Sequence, residues 1–564
     1  MFAGEVMLAL ALVVLEHGLF ARLDLAHELL DYAPGTAEHI GGNELWLAAI
    51  QLLGIPAALL LADAYRRAFG STLLAAAARR ARPVAAIAAV IATLGAIAAT
   101  LYLHGAVFTD DERTLVAQAK LLLAGGFTGP APLPREAFVH HFMVAVGADD
   151  WAGVFPPGQP LLLAIGLRLG TAHLTQWLAC GATVWIAARF AARQWNDETS
   201  VIVAGLLATS PALVLTAATL HNVVPTACCT ALAIYGASAF ARTGRARWGV
   251  LVGAASGLAL TCRPLDGAIL AVIAAGWIAT STQAWRPKLA GLALAAAVGL
   301  PCVAFQLASY RAISGSIFET PYGVWIARDW PGAHLFGFGR TVWNYQHTVG
   351  TALAKTFAAW LRLDGWALGW PISLAGLALW LAGSGRDRAT TWLVALIALH
   401  AFGYFFYAFG AVHDFGSYYH LVPLPALVVV TARALVASSR RDWLLRIAGA
   451  ASVVGLATFW PIELAHLDAI ASRTEAPLVA ARESAGDGPI LVFHTTMHPH
   501  PPMLSSWVFF APLPSPALDE PVLWLRTRDP AVMRRALAQY PDRRPFVLRW
   551  IDGEPTLIPI RRGG

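Results

Sequence analysis

The stretch of sequence that decides the fold is residues 248–280, which read WGVLVGAASGLALTCRPLDGAILAVIAAGWIAT. It is apolar throughout, and its charged residues are Arg263 and Asp266 alone. Because about 20 apolar residues suffice to cross a bilayer as a helix, the stretch is too long for one span. Pro264 lacks a backbone donor and disfavours helical geometry in the residue before it. The stretch therefore predicts two short membrane helices that meet at Arg263.

Apolar runs of this kind fill much of the chain. Of its 564 residues, 57% are hydrophobic and 13% are charged, whereas about 25% of the residues of a soluble domain are charged. A further short apolar helix is expected at residues 159–170. The pattern predicts an all-α polytopic membrane protein with about 12–14 transmembrane helices. The remaining runs lie near residues 4–20, 45–65, 83–106, 172–190, 199–219, 223–241, 288–308, 366–384, 390–411, 419–437 and 443–462.

The positions of the basic residues indicate the membrane topology. A net charge of +6 is compatible with nucleic-acid binding, but the Arg and Lys residues are dispersed over short loops, which argues against a nucleic-acid partner. Threading the spans puts every basic cluster on one side, which the positive-inside rule makes cytoplasmic. The clusters are Arg66, Arg67, Arg79, Arg80 and Arg82; Arg189 and Arg193; Arg242, Arg245 and Arg247; Arg286 and Lys288; Arg386 and Arg388; and Arg440 and Arg441.

The opposite face then carries two long loops, 107–158 and 309–365, and the tail 463–564. The tail contains short β-like runs that start at Ile490, Val522 and Phe546, with a helical stretch, Ala531 to Gln539, between the second and third runs. This pattern predicts a small extracytoplasmic α/β domain. We therefore divide the chain into a two-span extension (1–82), a transmembrane domain (83–462) and the C-terminal domain (463–564).

Three consecutive acids open the first loop, in the segment FTDDERTLVAQAK at residues 108–120. One interpretation is structural, with Asp110 capping a helix and the other acids complementing its dipole. The other is chemical, because carboxylates just outside a membrane can move protons for a reaction there. The far end of the loop, VFPPGQPLLLA at residues 154–164, turns into an apolar helix and bears on this choice.

A loop with these two ends resembles the first extracytoplasmic loop of GT-C glycosyltransferases, the multipass enzymes that use polyprenyl-phosphate sugars. Protein O-mannosyltransferases and lipid A aminoarabinose transferases are relatives. Bacterial members carry an Asp-Glu pair, an aromatic residue and then Gln-Ala-Lys. Asp111-Glu112 and Gln118-Ala119-Lys120 match this pattern, with Leu115 in place of the aromatic residue.

The resemblance covers about residues 85–430. Similar segments are LHNVVPT (220–226), GLALTCRPLD (257–266), GSIFETPY (315–322) and FGFG (336–339). One segment departs from the family, in which an Arg-Tyr pair often precedes a late helix. Here the chain reads HDFGSYYH at 413–420, without an Arg, so the phosphate contact of that Arg has no counterpart in this segment.

The resemblance implies transfer of a sugar, with inversion, from a polyprenyl-phosphate donor to an extracytoplasmic acceptor that is lipid, glycan or protein. Phosphate is already a good leaving group, so the reaction needs a carboxylate for the acceptor proton and cations for the phosphate. Asp111 is the candidate base, and Glu112 or Asp110 would orient it or bind the acceptor. The candidate phosphate ligands are Arg263, Lys120, Arg340 and His221. A pair between Arg263 and Asp266 at i, i+3 is the structural alternative, and it is compatible with a phosphate contact.

Other polar and aromatic residues allow two interpretations each. Tyr418, Tyr419 and His141 are candidates for a substrate groove, with Trp325 and Trp343, although interfacial aromatic belts explain such residues equally well. His221 also fits a polar cap at a helix end. The pair His140-His141 lacks a third ligand, whereas His494, His498 and His500 have metal-like spacing in a loop. A divalent cation, Mg²⁺ or Mn²⁺, is compatible with acids beside a phosphate, and metal dependence is left open.

Two other classes of protein are alternatives to a glycosyltransferase. A multipass secondary transporter is the main alternative, but the chain shows no inverted repeat and its acids cluster in a loop. A scaffold without catalysis leaves the acid cluster and Arg263-Pro264 unexplained. The Ala- and Arg-rich, Lys-poor composition indicates a GC-rich bacterium. We therefore expect an inner-membrane protein in contact with membrane lipid, with its active site on the periplasmic side.

Overall fold

A computed structural model describes residues 5–15, 52, 54–69, 72–342, 345–409, 412–413, 416–486, 488–494 and 511–561. The predicted architecture, helical with a small C-terminal α/β domain, is confirmed. The helices of the described residues are Glu5–Leu15, Gly54–Phe69, Thr72–Ala78, Ala81–Tyr102, Asp110–Leu123, Gly158–Arg168, Leu174–Gln194, Asp197–Ala208, Pro211–Val214, Val223–Thr243, Trp248–Cys262, Pro264–Ala279, Trp285–Ser314, Pro321–Asp329, Val349–Leu368, Ala375–Leu381, Arg388–Phe405, Leu424–Ala437, Arg441–Ala457, Phe459–Ala485 and Pro530–Gln539.

Four helices of the described part of the chain are long and apolar enough to cross a membrane. They are Ala81–Tyr102, Val223–Thr243, Trp285–Ser314 and the stretch Arg441–Ala485. The bent pair Asp197–Ala208 and Pro211–Ala218, with an angle of 58°, makes a fifth if it forms one span. Other predicted runs fold as shorter apolar helices, so the total of about 12–14 spans stays a prediction.

The predicted break in the run 248–280 is confirmed. One helix ends at Cys262, the next begins at Pro264, and Arg263 between them is extended, with φ −147° and ψ 94°. Proline suits the first position of a helix because its missing N–H would have no intrahelical partner there. The break therefore presents the Arg263 side chain between two half-helices.

The apolar run at 366–384 does not fold as one continuous helix. The observed helix starts earlier, at Val349, and ends at Leu368, and its C-cap Gly369 has a left-handed φ of 67°. Pro371 follows, and the next helix begins at Ala375. A left-handed glycine and a nearby proline are the usual stop signals of a helix. The apolar run thus contains a turn that its hydropathy alone does not reveal.

The C-terminal domain contains the three predicted strands and the helix between the second and third. A hairpin turn at Asp552-Gly553, both with positive φ, leads to a fourth strand that the sequence analysis missed. The strands are β8 (Ile490–His494), β9 (Val522–Arg526), β10 (Arg544–Ile551) and β11 (Glu554–Pro559), in sheet order β11-β10-β8-β9. The pair β10–β11 is antiparallel, and β8 runs parallel to both of its neighbours. The Phe459–Ala485 helix runs through the predicted boundary at 463, so the sheet begins near residue 490.

Seven shorter strands lie in the loops of the part of the chain that the structure describes. The first loop holds β1 (Gly129–Pro130), β2 (Met143–Val146) and β3 (Asp150–Gly153) in one antiparallel sheet of order β1-β3-β2. Two small hairpins follow, β4 (Gly339–Arg340) with β5 (Gln346–His347) and β6 (Val412–His413) with β7 (Gly416–Ser417).

The C-terminal domain rests on the first loop. Lys120 Nζ lies 2.8 Å from Glu520 Oε1 and donates to the Leu513 carbonyl at 3.1 Å. The Tyr540 hydroxyl donates to the Leu133 carbonyl at 2.7 Å. Apolar side chains of both parts share one buried cluster, for instance Trp151 and Phe493. The domain therefore braces the helix that carries the acid cluster.

Close helix packing in the transmembrane domain depends on small residues. A Cβ added at Gly253 would stand 2.1 Å from the Ala295 carbonyl oxygen, and one added at Gly249 would stand 2.0 Å from the Gly291 carbonyl oxygen. Both contacts join the Trp248–Cys262 and Trp285–Ser314 helices. Lipid tails are as apolar as leucine, so membrane helices associate through such close packing.

We predict that Gly253→Ala destabilises the protein, because the new methyl group meets backbone atoms that cannot move independently. Overpacking of this kind costs about 1–3 kcal/mol. The measurement is the thermal unfolding midpoint of the purified protein in detergent. Gly205→Ala is the matched control, since Gly205 is also helical and a Cβ there meets nothing within 4 Å. An equal midpoint for both variants would contradict the packing argument.

Candidate active site

The acidic helix, Asp110–Leu123, begins with a capping box. Its N-cap is Thr109, whose hydroxyl accepts the Glu112 backbone N–H, while the Glu112 side chain accepts the Thr109 backbone N–H. The structural interpretation, in which Asp110 caps the helix, therefore names the wrong residue as the cap. The signal was present in the sequence, since Thr-x-x-Glu is the pattern of a capping box.

Glu112 fixes the acidic helix to the transmembrane domain. Its Oε2 accepts the backbone N–H of Phe108 at 2.7 Å, and its Oε1 accepts that of Leu220 at 2.6 Å. The His221 ring follows directly, with Nε2 3.3 Å from the Thr109 hydroxyl and Nδ1 3.6 Å from Glu112 Oε1. Glu112 and His221 are buried, at 0% and 5% exposure. Both therefore hold the loop against the turn at residues 219–222.

Asp111 differs from its two acidic neighbours. Its side chain is half-buried, and no side chain of the described residues hydrogen-bonds to its carboxylate. Burial raises the pKa of Asp111 well above its usual value, and the charges of Asp110 and Glu112 raise it further. Burial also raises the pKa of Asp110 to about 7. A carboxyl with a raised pKa and free oxygens is suited to accept a proton near neutral pH.

Arg263 is held by a network from four elements. Its Nε donates to Asp266 Oδ2 at 2.6 Å, so the predicted i, i+3 pair is present. Nη1 donates to Asn222 Oδ1 at 2.9 Å, and Nη2 donates to the Tyr404 hydroxyl at 2.7 Å. The guanidinium carbon lies 4.9 Å from the centre of the Tyr419 ring. A guanidinium has five N–H donors, so two remain after these three bonds.

The network continues behind Arg263. The Tyr404 hydroxyl donates to Asp266 Oδ2 at 2.7 Å, and His400 Nε2 lies 2.7 Å from Asp266 Oδ1. Asn222 Nδ2 donates to the Cys262 carbonyl at 3.1 Å. Asp266 and His400 are both buried, at 2% exposure each. The carboxylate thus offsets the buried guanidinium charge and fixes the orientation of its planar fork.

The Asp111 carboxylate and the Arg263 guanidinium lie close enough for their charges to interact, and we call the region around these two groups the pocket. The Arg263 charge acts on the Asp111 carboxylate and partly offsets the rise in its pKa. Four tyrosines also interact electrostatically with Asp111, which places them around the same carboxylate. They are Tyr322, Tyr407, Tyr418 and Tyr419. The pocket therefore combines a carboxylate, a guanidinium and a wall of tyrosines.

Some of the other predicted site residues lie in this pocket, and others lie outside it. Tyr418 and Tyr419 lie in its wall, and the His221 ring centre is 5.2 Å from that of Tyr418. Lys120 forms an ion pair with Glu520 at 2.8 Å in the contact with the C-terminal domain, and its phosphate role stays a prediction. Arg340 is exposed on the β4–β5 hairpin.

His141 belongs to an aromatic cluster in the loops. Its ring centre lies 5.2 Å from that of Trp325 and 5.7 Å from that of Trp330. Trp325 is fully buried, so it serves as core instead of groove lining. The other predicted groove tryptophan, Trp343, lies outside the described residues.

Metal-ligating side chains do not converge in the part of the chain that the structure describes, where no group of three or more His, Cys, Asp or Glu residues could hold an ion. Burial lowers the pKa of His140 to about 3, and its Nδ1 lies 3.3 Å from the Thr114 hydroxyl. His494 is buried at the end of β8, and His498 and His500 lie outside the described residues. The sequence analysis left metal dependence open, and this arrangement does not change that.

Asn222 and Tyr404 are the functional candidates that the sequence analysis missed. Asn222 follows His221 in a quoted segment, so its position was visible while its partner was not. Tyr404 lies 141 residues from Arg263, and no local pattern links the two.

Comparison with known proteins gives one family match. Residues 155–307 match the family model described as dolichyl-phosphate-mannose-protein mannosyltransferase. This segment includes Asn222, Arg263 and Asp266, whereas Asp111 lies before it. No curated protein is significantly similar to the chain.

Several solved structures are similar in outline, among them two of ArnT and one of AftD. ArnT from Cupriavidus metallidurans bound to undecaprenyl phosphate is 14% identical, with a TM-score of 0.49 over 83% of this chain and 91% of that chain. The apo form of the same protein is 15% identical, with a TM-score of 0.47 over 82% and 90% of the two chains. The arabinofuranosyltransferase AftD from Mycobacteria is 15% identical, with a TM-score of 0.37 over 84% of this chain and 36% of that chain.

All three TM-scores lie below 0.5, so the likeness to a known family rests on the matched segment. That segment carries the broken helix pair, the Asn222 turn and the buried arginine between the two helices. Through residues 155–307, the chain is similar to the dolichyl-phosphate-mannose-protein mannosyltransferase family.

Proposed function

We propose that the protein is a membrane glycosyltransferase that moves a sugar from a polyprenyl-phosphate donor to an acceptor outside the cytoplasm. The observation that carries the proposal is the pocket shared by Asp111 and Arg263. It places a proton acceptor beside a cation, as a displacement of phosphate from a sugar requires. The family match over residues 155–307 supports the proposal, since it contains Arg263. The undecaprenyl phosphate bound to the similar ArnT structure is consistent with such a donor.

The reaction is written as one displacement. An acceptor O–H or N–H attacks the anomeric carbon of the donor sugar, while the bond from that carbon to the phosphate oxygen breaks. The acceptor proton passes to the Asp111 carboxylate, and the electron pair of the broken bond leaves with the polyprenyl phosphate. The configuration at the anomeric carbon is inverted, because attack and departure take place on opposite faces.

Arg263 would stabilise the departing phosphate. Its two remaining N–H donors can bind phosphate oxygens while Asp266 and Asn222 keep the guanidinium in place. Its position in a largely water-excluded pocket strengthens this interaction, because a low dielectric increases the attraction between opposite charges. The tyrosine wall, Tyr418 and Tyr419 included, would contact the sugar ring or the lipid phosphate.

His221 and Glu112 would position the acidic helix and would not contact the substrate. Both are buried in contacts that hold the acidic helix, so neither has a free face toward a substrate. Asp110 is buried on the same helix turn, and its side chain accepts the Asp111 backbone N–H at 3.0 Å. The Asp110 charge raises the pKa of Asp111. The sugar and the acceptor class, lipid, glycan or protein, are left to experiment.

The proposal includes a location. The positive-inside rule assigns the arginine clusters to the cytoplasm, so a pocket at the opposite end of the helices would face the periplasm of a bacterial inner membrane. A polyprenyl phosphate dissolves in the bilayer, so the donor would enter from the lipid. No specific observation favours the transporter alternative.

We predict that Asp111→Asn abolishes most of the sugar transfer, since an amide cannot accept the acceptor proton. The expected loss in rate is about 10²–10⁴-fold. The measurement is transfer of radiolabel from a panel of polyprenyl-phosphate sugars in membranes. Asp149→Asn is the control, because Asp149 lies in the same loop with an exposed side chain. Equal rates for wild type and Asp111→Asn would remove Asp111 from the mechanism, and absence of transfer from every donor would contradict the proposed activity.

We predict that Asp110→Asn moves the acidic limb of the pH profile of kcat/KM to lower pH. The Asp110 charge helps to raise the pKa of Asp111, so its removal leaves Asp111 deprotonated down to a lower pH. Burial still raises the pKa of Asp111 in this variant, so the acidic limb of the profile moves to lower pH but remains present. Asp149→Asn should leave the limb in place. A limb that stays fixed or moves to higher pH in Asp110→Asn would contradict the coupling.

We predict that Arg263→Lys lowers kcat by about 10²–10³-fold, the usual effect of losing a group that stabilises developing charge. Lysine keeps the charge that Asp266 requires but cannot bind Asp266, Asn222 and a phosphate in one plane. Turnover and the thermal midpoint are measured together, so that misfolding is distinguished from a catalytic loss. Arg311→Lys, at an exposed residue, serves as the control. An active Arg263→Lys enzyme would leave the guanidinium with a structural role.

A further inference from the structure

A second charged cavity lies far from the pocket. It has a volume of about 520 Å³, and its wall contains five arginines and one acid. They are Arg79, Arg80, Arg82, Arg189, Arg193 and Asp197. We call it the arginine cleft. It opens on the face that the basic clusters predict to be cytoplasmic, and it plays no part in the proposed reaction.

The cleft is a helix length away from Asp111. The wall of the cleft includes the first residues of the Ala81–Tyr102 helix. The acidic helix begins at the other end, at Asp110, which is eight residues after Tyr102. A helix of 22 residues is roughly 33 Å long at 1.5 Å per residue, about the thickness of a bilayer core. A ligand of the cleft is therefore separate from the donor and the acceptor.

The arginines of the cleft lack the partners that neighbouring arginines have. Arg66 lies 2.6 Å from Asp63, and Arg441 lies 2.6 Å from Glu198. By contrast, no carboxylate of the described residues stands within 4 Å of the five cleft guanidinium groups. Arg193 interacts with the like charges of Arg189 and Arg82. The cleft thus holds more positive charge than its own acid, Asp197, can offset.

Two of these guanidinium groups are oriented by aromatic rings. The Arg189 guanidinium carbon lies 5.8 Å from the centre of the Trp185 ring, and that of Arg193 lies 5.1 Å from the Tyr235 ring. Arg242 also donates to the Arg193 carbonyl at the end of its helix. Stacking keeps a guanidinium charged and leaves its N–H edge free for an anion. The cleft is therefore partly organised before a ligand arrives.

We propose that the arginine cleft binds a phosphate-bearing anion. Arginine pairs with phosphate through two parallel N–H···O bonds, and several arginines on one wall fit a group with several acceptor oxygens. The volume of about 520 Å³ lies in the range of small-molecule sites. Both the headgroup of an anionic membrane lipid and a soluble phosphate ester share this chemistry. The position at a membrane surface gives each of them access.

The test uses the full-length protein in nanodiscs and two probes. Inorganic pyrophosphate is titrated calorimetrically into nanodiscs of phosphatidylcholine, and retained phosphatidylglycerol is counted by native mass spectrometry from mixed nanodiscs. Arg82→Gln/Arg193→Gln should weaken at least one of the two interactions by about tenfold or more, as expected for the loss of two charged hydrogen bonds. Arg82→Lys/Arg193→Lys should retain part of the binding, which shows that the cleft is still folded.

Arg286→Gln is the matched control, because Arg286 belongs to another basic cluster and also stacks on a tryptophan, Trp285, at 5.5 Å. It should bind both probes as wild type does. A loss confined to pyrophosphate assigns a soluble ligand, and a loss confined to phosphatidylglycerol assigns a lipid headgroup. Unchanged binding of both probes by Arg82→Gln/Arg193→Gln, or an equal loss in Arg286→Gln, would overturn the proposal.

Discussion

The contact on which the site depends is the buried carboxylate of Glu112. One of its oxygens closes the first turn of the acidic helix, and the other accepts the Leu220 backbone N–H at 2.6 Å. The bond joins a loop helix to the turn before Val223–Thr243, across 108 positions of sequence. Asn222 in that turn binds Arg263. Glu112 thereby sets the position of Asp111 relative to Arg263, and loss of its charge would leave buried N–H groups unsatisfied.

Burial gives the two central groups their chemical character. Asp111 loses hydration and stands beside two other acids, so its pKa rises well above its usual value and the carboxylate becomes a stronger base. Arg263 is buried too, but Asp266 offsets its charge and leaves part of its fork free. The low dielectric of the pocket makes the burial of its charges unfavourable, and it also strengthens the interaction of those charges with a substrate. The C-terminal domain adds to this arrangement through Lys120, which braces the acidic helix from outside.

Much of the fold could be predicted from local patterns. Arg263-Pro264 indicated the helix break because proline acts on its own geometry and that of its neighbour. The acidic helix and three strands of the tail were likewise visible in short windows. The capping box at Thr109 was present in the sequence too, although Asp110 was predicted as the cap. The turn at Gly369 was missed because hydropathy averages over the residues that end a helix.

Local sequence patterns were enough to predict a helical membrane protein with an acid cluster on one face, an arginine at a helix break and arginine clusters on the other face. Which charges meet could be seen only once the helices were packed together. Lys120 pairs with Glu520, 400 residues away, and Arg263 binds Tyr404, 141 residues away. The reason is physical. Helix boundaries depend on neighbours along the chain, whereas the partner of a buried charge depends on which elements pack together, and packing is set by the whole fold.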